Sequence, residues 1–313
     1  MPRRGELTSS LEDNEVVFDG IEAGALEGIL SLLDRDGRLG TRFRVSRDDS
    51  RFLKIFSQGF AVPSPVLSVV IPFHNESGNI LPLLAEVEVE LTAYARVGTR
   101  FEVVAVDDAS TDSTAQELQE AQTRWPWVRV VRHVQRLGLS GAQRNGIRRA
   151  RAPWILTMDG DGQNDPADGP RLCEIAWGLG GPEPRVVVAG LRIRRRDTLA
   201  KRLASRSANA VRRLLLRDKC PDTGCGLKLF PRESYLELPF FKGLHRFMPA
   251  LFRLYGHEIL FTPVNDRLRV RGVSKSDFLG RALQSLADLV GVVWLIRRTP
   301  PPERGNEEGS SCP

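Results

Sequence analysis

The chain has 313 residues, 41% of them hydrophobic, and a formal net charge of +6, which is enough length and apolar content for one large packed domain with appendages. The charge is unevenly spread: residues 1–191 carry 21 Lys/Arg against 27 Asp/Glu, and residues 192–298 carry 23 against 9, so the later part is suited to an anion such as nucleic acid, an acidic membrane surface or a phosphorylated ligand. The four cysteines (Cys173, Cys220, Cys225, Cys312) lack paired spacing, which excludes a disulfide framework or a cysteine zinc site, and no run approaches the roughly 20 apolar residues of a membrane span.

The amino-terminal MPRRGELTSS leads into no apolar stretch, so no secretory signal is expected and the chain reads as cytoplasmic. Residues 1–62 are a charged extension of unassigned role, with one helical pattern that aligns Ile21, Ala25, Ile29 and Leu33. Pro63 and Pro65 mark a boundary. Beyond them the apolar β-branched run Val66–Ile71 reads as a buried parallel strand. A helix near Gly78–Tyr94, strand Phe101–Val106, a helix near Ser113–Ala121, strand Val128–Val131, helix Ser140–Ala150 and strand Trp154–Met158 follow. This alternation predicts an α/β fold, a mostly parallel sheet with helices on both faces, whose ligands bind at the carboxyl ends of the strands.

After Gly190 the pattern changes. A long basic helix is expected over roughly Leu199–Leu216, then the glycine-punctuated PDTGCGLKLF, a helix around Arg246–Tyr255 and strand Ile259–Val264. The last helix, about Phe278–Arg297, is apolar on one side and interrupted by Asp288. Its apolar span of about 14 residues is too short to cross a bilayer, which leaves two readings: an interfacial helix, or packing on the domain's own core. The terminal PPERGNEEGSSCP has the composition of a disordered tail.

Acidic residues gather where strands end. Phe101–Val106 empties into Asp107 and Asp108, and Trp154–Met158 into Asp159, Gly160 and Asp161, followed by Gln163, Asn164 and Asp165. Two carboxylates flanking a glycine at a strand mouth can share one hard divalent cation, and oxygen donors favour Mg²⁺ or Mn²⁺.

In order, VVIPFHNE (Val69–Glu76), VDDASTD (Val106–Asp112), RLGLSGAQRNGI (Arg136–Ile147) and MDGDGQNDP (Met158–Pro166) resemble the family 2 glycosyltransferases, and among them the polyprenyl-phosphate sugar synthases, including the dolichyl-phosphate mannose synthase type. PDTGCGLKLFPRE, HRFMPAL and PVNDRLRVRGVSK agree further on, so the resemblance spans about Val66–Arg298. It implies a GT-A fold over residues 63–275, followed by an amphipathic helix over 276–298 and a tail over 299–313. It also implies an inverting transfer of a sugar from a nucleotide-diphosphate sugar to a polyprenyl phosphate, by an enzyme peripheral at the inner membrane face. By position, Asp107 would contact the donor near Pro72 and Glu76, with Asp108 and Gly138 also on the donor side. Asp159, Asp161 and Gln163 would hold the metal. Asp159, Asp161 and Asp222 would be catalytic, and Lys201, Arg202, Lys219 and Cys225 would meet the acceptor phosphate. Four positions depart from the family pattern: Ala109 stands where glycine is usual, Asp266 where related bacterial sequences carry His, and Ser276-Asp277 replace a Tyr-Gly pair.

The chemistry is coherent. A departing nucleoside diphosphate needs its charge neutralised. An anionic lipid phosphate needs positioning more than a strong base. The basic later part, with Arg206, Arg212, Arg213 and Arg217 beside Lys201 and Arg202, supplies charge for the lipid phosphate and for a membrane surface. A processive polysaccharide synthase is excluded, because Gln122-Thr123-Arg124-Trp125 has the wrong spacing and precedes the metal motif. A nucleic-acid module is disfavoured by carboxylates at two strand ends and by the lack of an aromatic–basic stacking pattern. The alternative that stays open is a catalytically inactive relative that binds lipid or a partner; intact Asp159, Asp161 and Gln163 argue against it.

Overall fold

The structure is a computed structural model that describes residues 15–18, 53–56, 64–179, 185–193, 212, 215–216, 220–268 and 278–299. Residues 1–63 form one unit and residues 64–313 another. In the first, strands β1 (Glu15–Phe18) and β2 (Leu53–Phe56) pair antiparallel. The helix expected over Ile21–Leu33 lies outside the described residues.

The second unit runs β3 (Leu67–Phe73), α1 (Ile80–Ala93), β4 (Phe101–Asp107), α2 (Thr114–Arg124), β5 (Val128–Arg132), α3 (Gly138–Arg149), β6 (Trp154–Thr157), α4 (Asp168–Gly178) and β7 (Val186–Arg192). Then come β8 (Lys228–Pro231), α5 (Arg232–Leu236), a 3-10 turn (Leu244–Arg246), α6 (Met248–Leu254), β9 (Glu258–Val264) and α7 (Phe278–Arg298). The seven strands lie in the order β5-β4-β3-β6-β8-β7-β9. Strands β3, β4, β5 and β6 are parallel, β7 and β9 are parallel to each other, and β8 runs antiparallel to β6 and β7. The α/β sheet expected from the alternation of elements is therefore present. Strands β7 and β8 and helix α4 go beyond that reading. Strand β8 is four residues long, and its antiparallel pairing returns the chain between β6 and β7.

Strand periodicity explains how both faces are covered. Odd residues Leu67, Val69, Ile71 and Phe73 pack with Leu84 and Val87 of α1, Leu118 of α2 and Leu172 of α4. Even residues Val70, Val104 and Val106 pack with Ile147 of α3, Phe252 of α6 and Leu289 and Val292 of α7. A strand buried on both faces reads as a continuous apolar run. Helix α7 is thus seated on the core through Leu289 and Val292, and Asp288 accepts a hydrogen bond from Arg246 (3.0 Å). Its Val290 and Trp294 remain exposed. Of the basic helix expected over Leu199–Leu216, only Arg212, Leu215 and Leu216 are described, all helical.

Candidate active site

Parallel β3, β4 and β6 deliver their carboxyl ends to one edge of the sheet. Pro72 and Phe73 of β3 stand in register with Val106 and Asp107 of β4. The two loops beyond are joined side by side. Asn75 Oδ1 accepts the Thr111 amide (2.7 Å), the Ser110 hydroxyl accepts the Asn75 amide (3.1 Å), and the Thr114 hydroxyl accepts the Glu76 amide (3.0 Å). Glu117 Oε1 takes the Ser77 hydroxyl and the Gly78 amide. Asn75 (φ 53) and Ala109 (φ 56) both occupy the left-handed region. Asn tolerates that region, whereas Ala carries a steric cost there that a glycine would not. Asp107, buried at the end of β4, accepts the Ser110 amide (2.9 Å). Glu76 accepts from Asn79 Nδ2 (2.9 Å).

At the mouth of β6 the chain turns through Asp159, Gly160, Asp161, Gly162 and Gln163. A Cβ on Gly160 would lie 2.5 Å from the Phe73 ring and 2.7 Å from the Pro72 carbonyl oxygen. Only glycine allows this turn to rest on the end of β3. Gly226 does the same from the other side: a Cβ there would fall 2.2 Å from Asp159 Oδ2 and 2.7 Å from Asn164 Oδ1. Asn164 Oδ1 also accepts the Asp159 amide (2.8 Å), and Asp161 Oδ1 accepts the Gln163 amide (3.1 Å). Gln163 Nε2 points to the Arg267 carbonyl (3.5 Å), so Oε1 is the atom with which Gln163 could ligate. Asp159, Asp161 and Gln163 are half-buried and all oxygen-bearing, a donor set that fits a hard divalent cation completing its shell with substrate oxygens. Among the described residues no group of three or more His, Cys, Asp or Glu forms a metal cage from protein alone.

A strap from β9 closes this turn. Asn164 and Asp266 form an isolated antiparallel bridge, and the Arg267 amide donates to the Gln163 carbonyl (2.9 Å). Arg267 also pairs with Asp165 and Glu86, and the Asn265 amide donates to Asp168 (2.7 Å). Asp266, the residue that departs from the bacterial pattern, therefore sits on backbone paired with the Asp159–Gln163 turn.

Asp108 holds the next wall. Its Oδ1 accepts the Leu137 amide and His133 Nδ1–H, and its Oδ2 accepts the Gly138 amide, all at 2.8 Å. Burial opposes ionisation here, but His133 and the two amides outweigh it and hold the carboxyl below its ordinary range. Asn145 Nδ2 donates to His133 Nε2 (2.9 Å). Both carboxylate oxygens are thus engaged in seating the start of α3, and Gly138 is reached through its amide.

Asp222 receives Arg192 in a two-pronged pair, Nε at 2.8 Å and Nη2 at 2.9 Å, and the Gly224 amide at 3.1 Å. Burial works against the Arg192 charge, yet Asp222 raises its pKa further above the arginine range. Asp222 thus fixes the Arg192 guanidinium at the end of β7. Cys225 is 1% exposed, with its thiol packed toward Gly190 and its pKa raised by burial. The expectation that its side chain touches an acceptor phosphate does not fit that burial. Lys201, Arg202 and Lys219 lie outside the described residues. Arg192, Gly226 and Arg267 are functional-site residues that the sequence pattern did not single out. An arginine at the end of the buried run VVVAGL was the available signal for Arg192; the other two become visible only through partners distant in the chain.

Comparison with known proteins agrees with this arrangement. The model of a family described as Glycosyl transferase family 2 matches residues 68–238. Dodecaprenyl-phosphate galacturonate synthase of Rhizobium johnstonii is 30% identical over 239 residues, 75% of this chain and 69% of that protein. Undecaprenyl-phosphate 4-deoxy-4-formamido-L-arabinose transferase of Pectobacterium carotovorum is 31% identical over 215 residues, 68% of this chain; the match spans 63% of that protein, under two thirds of its length. Among solved structures, a mannosyltransferase from Pyrobaculum calidifontis in complex with GDP-Man and Mn²⁺ superposes with a TM-score of 0.53 at 20% identity, covering 89% of this chain and 75% of its own. Glucosyl-3-phosphoglycerate synthase from Mycobacterium tuberculosis, in complex with Mn²⁺, UDP-Glc and phosphoglyceric acid, gives 0.55 at 20% identity, covering 77% and 82%. At that identity the likeness is one of fold, the GT-A arrangement.

Proposed function

The chain belongs to glycosyl transferase family 2, and from that premise we propose that it transfers a sugar from a nucleotide-diphosphate sugar to a polyprenyl phosphate at a membrane surface. The observation that carries the reading is the convergence at one sheet edge of Asp107 with the Asp159–Gln163 turn, held there by Gly160 against Pro72 and Phe73 and by Gly226 against Asp159. Asp107, Pro72 and Glu76 contact the nucleoside, and the start of α3 at Gly138, seated by Asp108, forms the neighbouring wall. Asp159, Asp161 and Gln163 hold Mg²⁺ or Mn²⁺, which when bound supplies Lewis-acid neutralisation of the departing diphosphate.

The acceptor side is basic. Arg192, positioned by Asp222, stands at the end of β7, and Lys201, Arg202 and Lys219 belong to the basic segment that follows. Their charge draws an anionic lipid phosphate to the anomeric carbon, and direct displacement by its oxygen inverts the configuration. Among the described residues no helix is long and apolar enough to cross a membrane, and the proposed association is peripheral. The test is transfer of radiolabelled sugar from UDP- and GDP-sugars to polyprenyl phosphate with Mg²⁺ or Mn²⁺. Transfer by the wild type, lost in Asp161→Ala at unchanged melting temperature, is expected. Absence of transfer with every donor would favour an inactive lipid- or partner-binding relative. Near-wild-type turnover in Asp161→Ala would remove the metal assignment.

A further inference from the structure

A groove of about 590 Å³ lies between α3 and the segment that precedes the 3-10 turn, lined by Leu137, Arg144, Arg148, Phe240 and Lys242 among others. Its lining runs along α3 from Leu137, whose amide Asp108 holds at the end of the sheet from which Asp107 projects, to Arg148 in the last turn. Of its lining residues Leu137 is 40% and Phe240 43% exposed, and Val134 at 104% and Leu139 at 36% stand exposed on the chain segment that carries Leu137. Four exposed apolar residues on two adjoining segments exceed what scattered surface residues require. The Arg144 guanidinium lies over the Phe240 ring at 4.3 Å from its centroid, so charge and apolar surface are interleaved.

The two segments that line the groove carry charge of one sign. Residues 132–149 contain Arg132, Arg136, Arg144, Arg148 and Arg149 and no Asp or Glu, and residues 239–246 contain Lys242 and Arg246 and again no acid. The nearby Glu233 and Asp288 carboxylates are paired with Arg232 and Arg246. A second, smaller hollow on the other side of Arg148 is lined by Arg132, His133, Asn145 and Arg149. The two walls are tied together through Ser140. The Ser140 hydroxyl, in the first turn of α3, accepts the Gly243 amide (3.2 Å) and the His245 amide (3.3 Å), and stands 2.7 Å from His245 Nδ1.

We infer that this face is where the protein docks on an anionic lipid bilayer: Val134, Leu137, Leu139 and Phe240 enter the interface, and Arg136, Arg144, Arg148 and Lys242 meet headgroup phosphates. Apolar tips flanked by cations are what an interfacial site requires, since each basic group near an anionic surface adds to affinity and each buried apolar group adds more. The occupant is a bilayer rather than a peptide because the cations line both sides of α3 and no carboxylate on either segment would repel headgroups. This rests on the proposed lipid-phosphate acceptor, and it adds the surface that turns the catalytic edge toward the membrane.

The test is co-sedimentation of the full chain with phosphatidylcholine vesicles made with and without phosphatidylglycerol. In parallel, sugar transfer to a short-chain, water-soluble polyprenyl phosphate is measured without vesicles. Wild type should bind the anionic vesicles preferentially. Arg144→Glu/Arg148→Glu and Val134→Ser/Phe240→Ser should each lower the bound fraction by about tenfold or more, with unchanged melting temperature and unchanged turnover on the soluble acceptor. Equal binding to neutral and anionic vesicles, no binding by wild type, or unaltered binding by both double variants would overturn the inference. So would loss of soluble turnover along with binding, because the groove would then belong to the reaction site. If no protein transfers sugar yet the variants still lose vesicle binding, the docking surface stands and the proposed reaction falls.

Discussion

Gly226→Ala tests the site's construction without removing any functional group. The added Cβ would meet Asp159 Oδ2 at 2.2 Å, Asp159 Cγ at 2.4 Å and Asn164 Oδ1 at 2.7 Å. Ordinary contact needs roughly 1 Å more, and neither neighbour is the far end of a long side chain. Asn164 is buried and holds the Asp159 amide, so the carboxylate must move. Metal–ligand distances tolerate about 0.2 Å, and a displacement of about 1 Å at a reacting centre costs on the order of a hundredfold in rate, or about 2.7 kcal/mol of barrier. Overpacking adds a stability cost of about 1–3 kcal/mol. The assay is sugar transfer as a function of Mn²⁺ concentration, with a thermal melt. Turnover should fall about a hundredfold or more and half-saturation by Mn²⁺ should rise. The control is Gly178→Ala, where a Cβ meets nothing within 4 Å and turnover should not change. Turnover within about twofold of wild type in Gly226→Ala, with unaltered Mn²⁺ dependence, would refute the claim that the Asp159 carboxylate must lie where Gly226 leaves room for it.

Ala109→Gly relieves a left-handed alanine (φ 56) and, net of glycine's greater unfolded-state entropy, should stabilise by up to about 1 kcal/mol, read as a rise in melting temperature; a fall would refute the strain. Arg192→Met removes the two-pronged partner of the buried Asp222 carboxylate and should destabilise by at most about 3–5 kcal/mol. Arg192→Lys should recover only part of that, because an ammonium cannot supply the fork; full recovery in chemical denaturation would show that charge alone suffices. Burial, reinforced by the Lys228 and Arg246 charges, pushes His245 down from 6.5 to about 3. The folded chain therefore refuses a proton that the unfolded chain accepts as pH falls below 6.5, so this contribution to stability is present above 6.5 and is lost toward 3. From pH 8 to pH 5 the wild type should lose about 2 kcal/mol more than His245→Gln; parallel pH profiles would contradict the assignment.

Much of this protein was readable along the chain. Val66–Ile71, Phe101–Val106 and Trp154–Met158 are apolar enough to be buried on both faces, and strands of that kind separated by helices have few arrangements other than a parallel sheet. Asp107 and the Asp159–Gln163 turn could be placed at its carboxyl edge because a residue that ends a parallel strand can lie nowhere else. Local pattern was silent on partners far away in sequence. Strand β8 is four residues long and runs against its neighbours, so no alternation announced it, yet its approach brings Gly226 against Asp159. Asp222 looks in sequence like one more acid in a glycine-rich turn. Only the folded chain delivers Arg192 to it across 30 residues, just as it delivers Leu137 and Gly138 to Asp108. The last helix had two open readings from its apolar stripe. Packing decided between them for Leu289 and Val292, while Trp294 and Val290 stayed outside. A hydrophobic pattern states that a face will be covered, and tertiary structure decides by what.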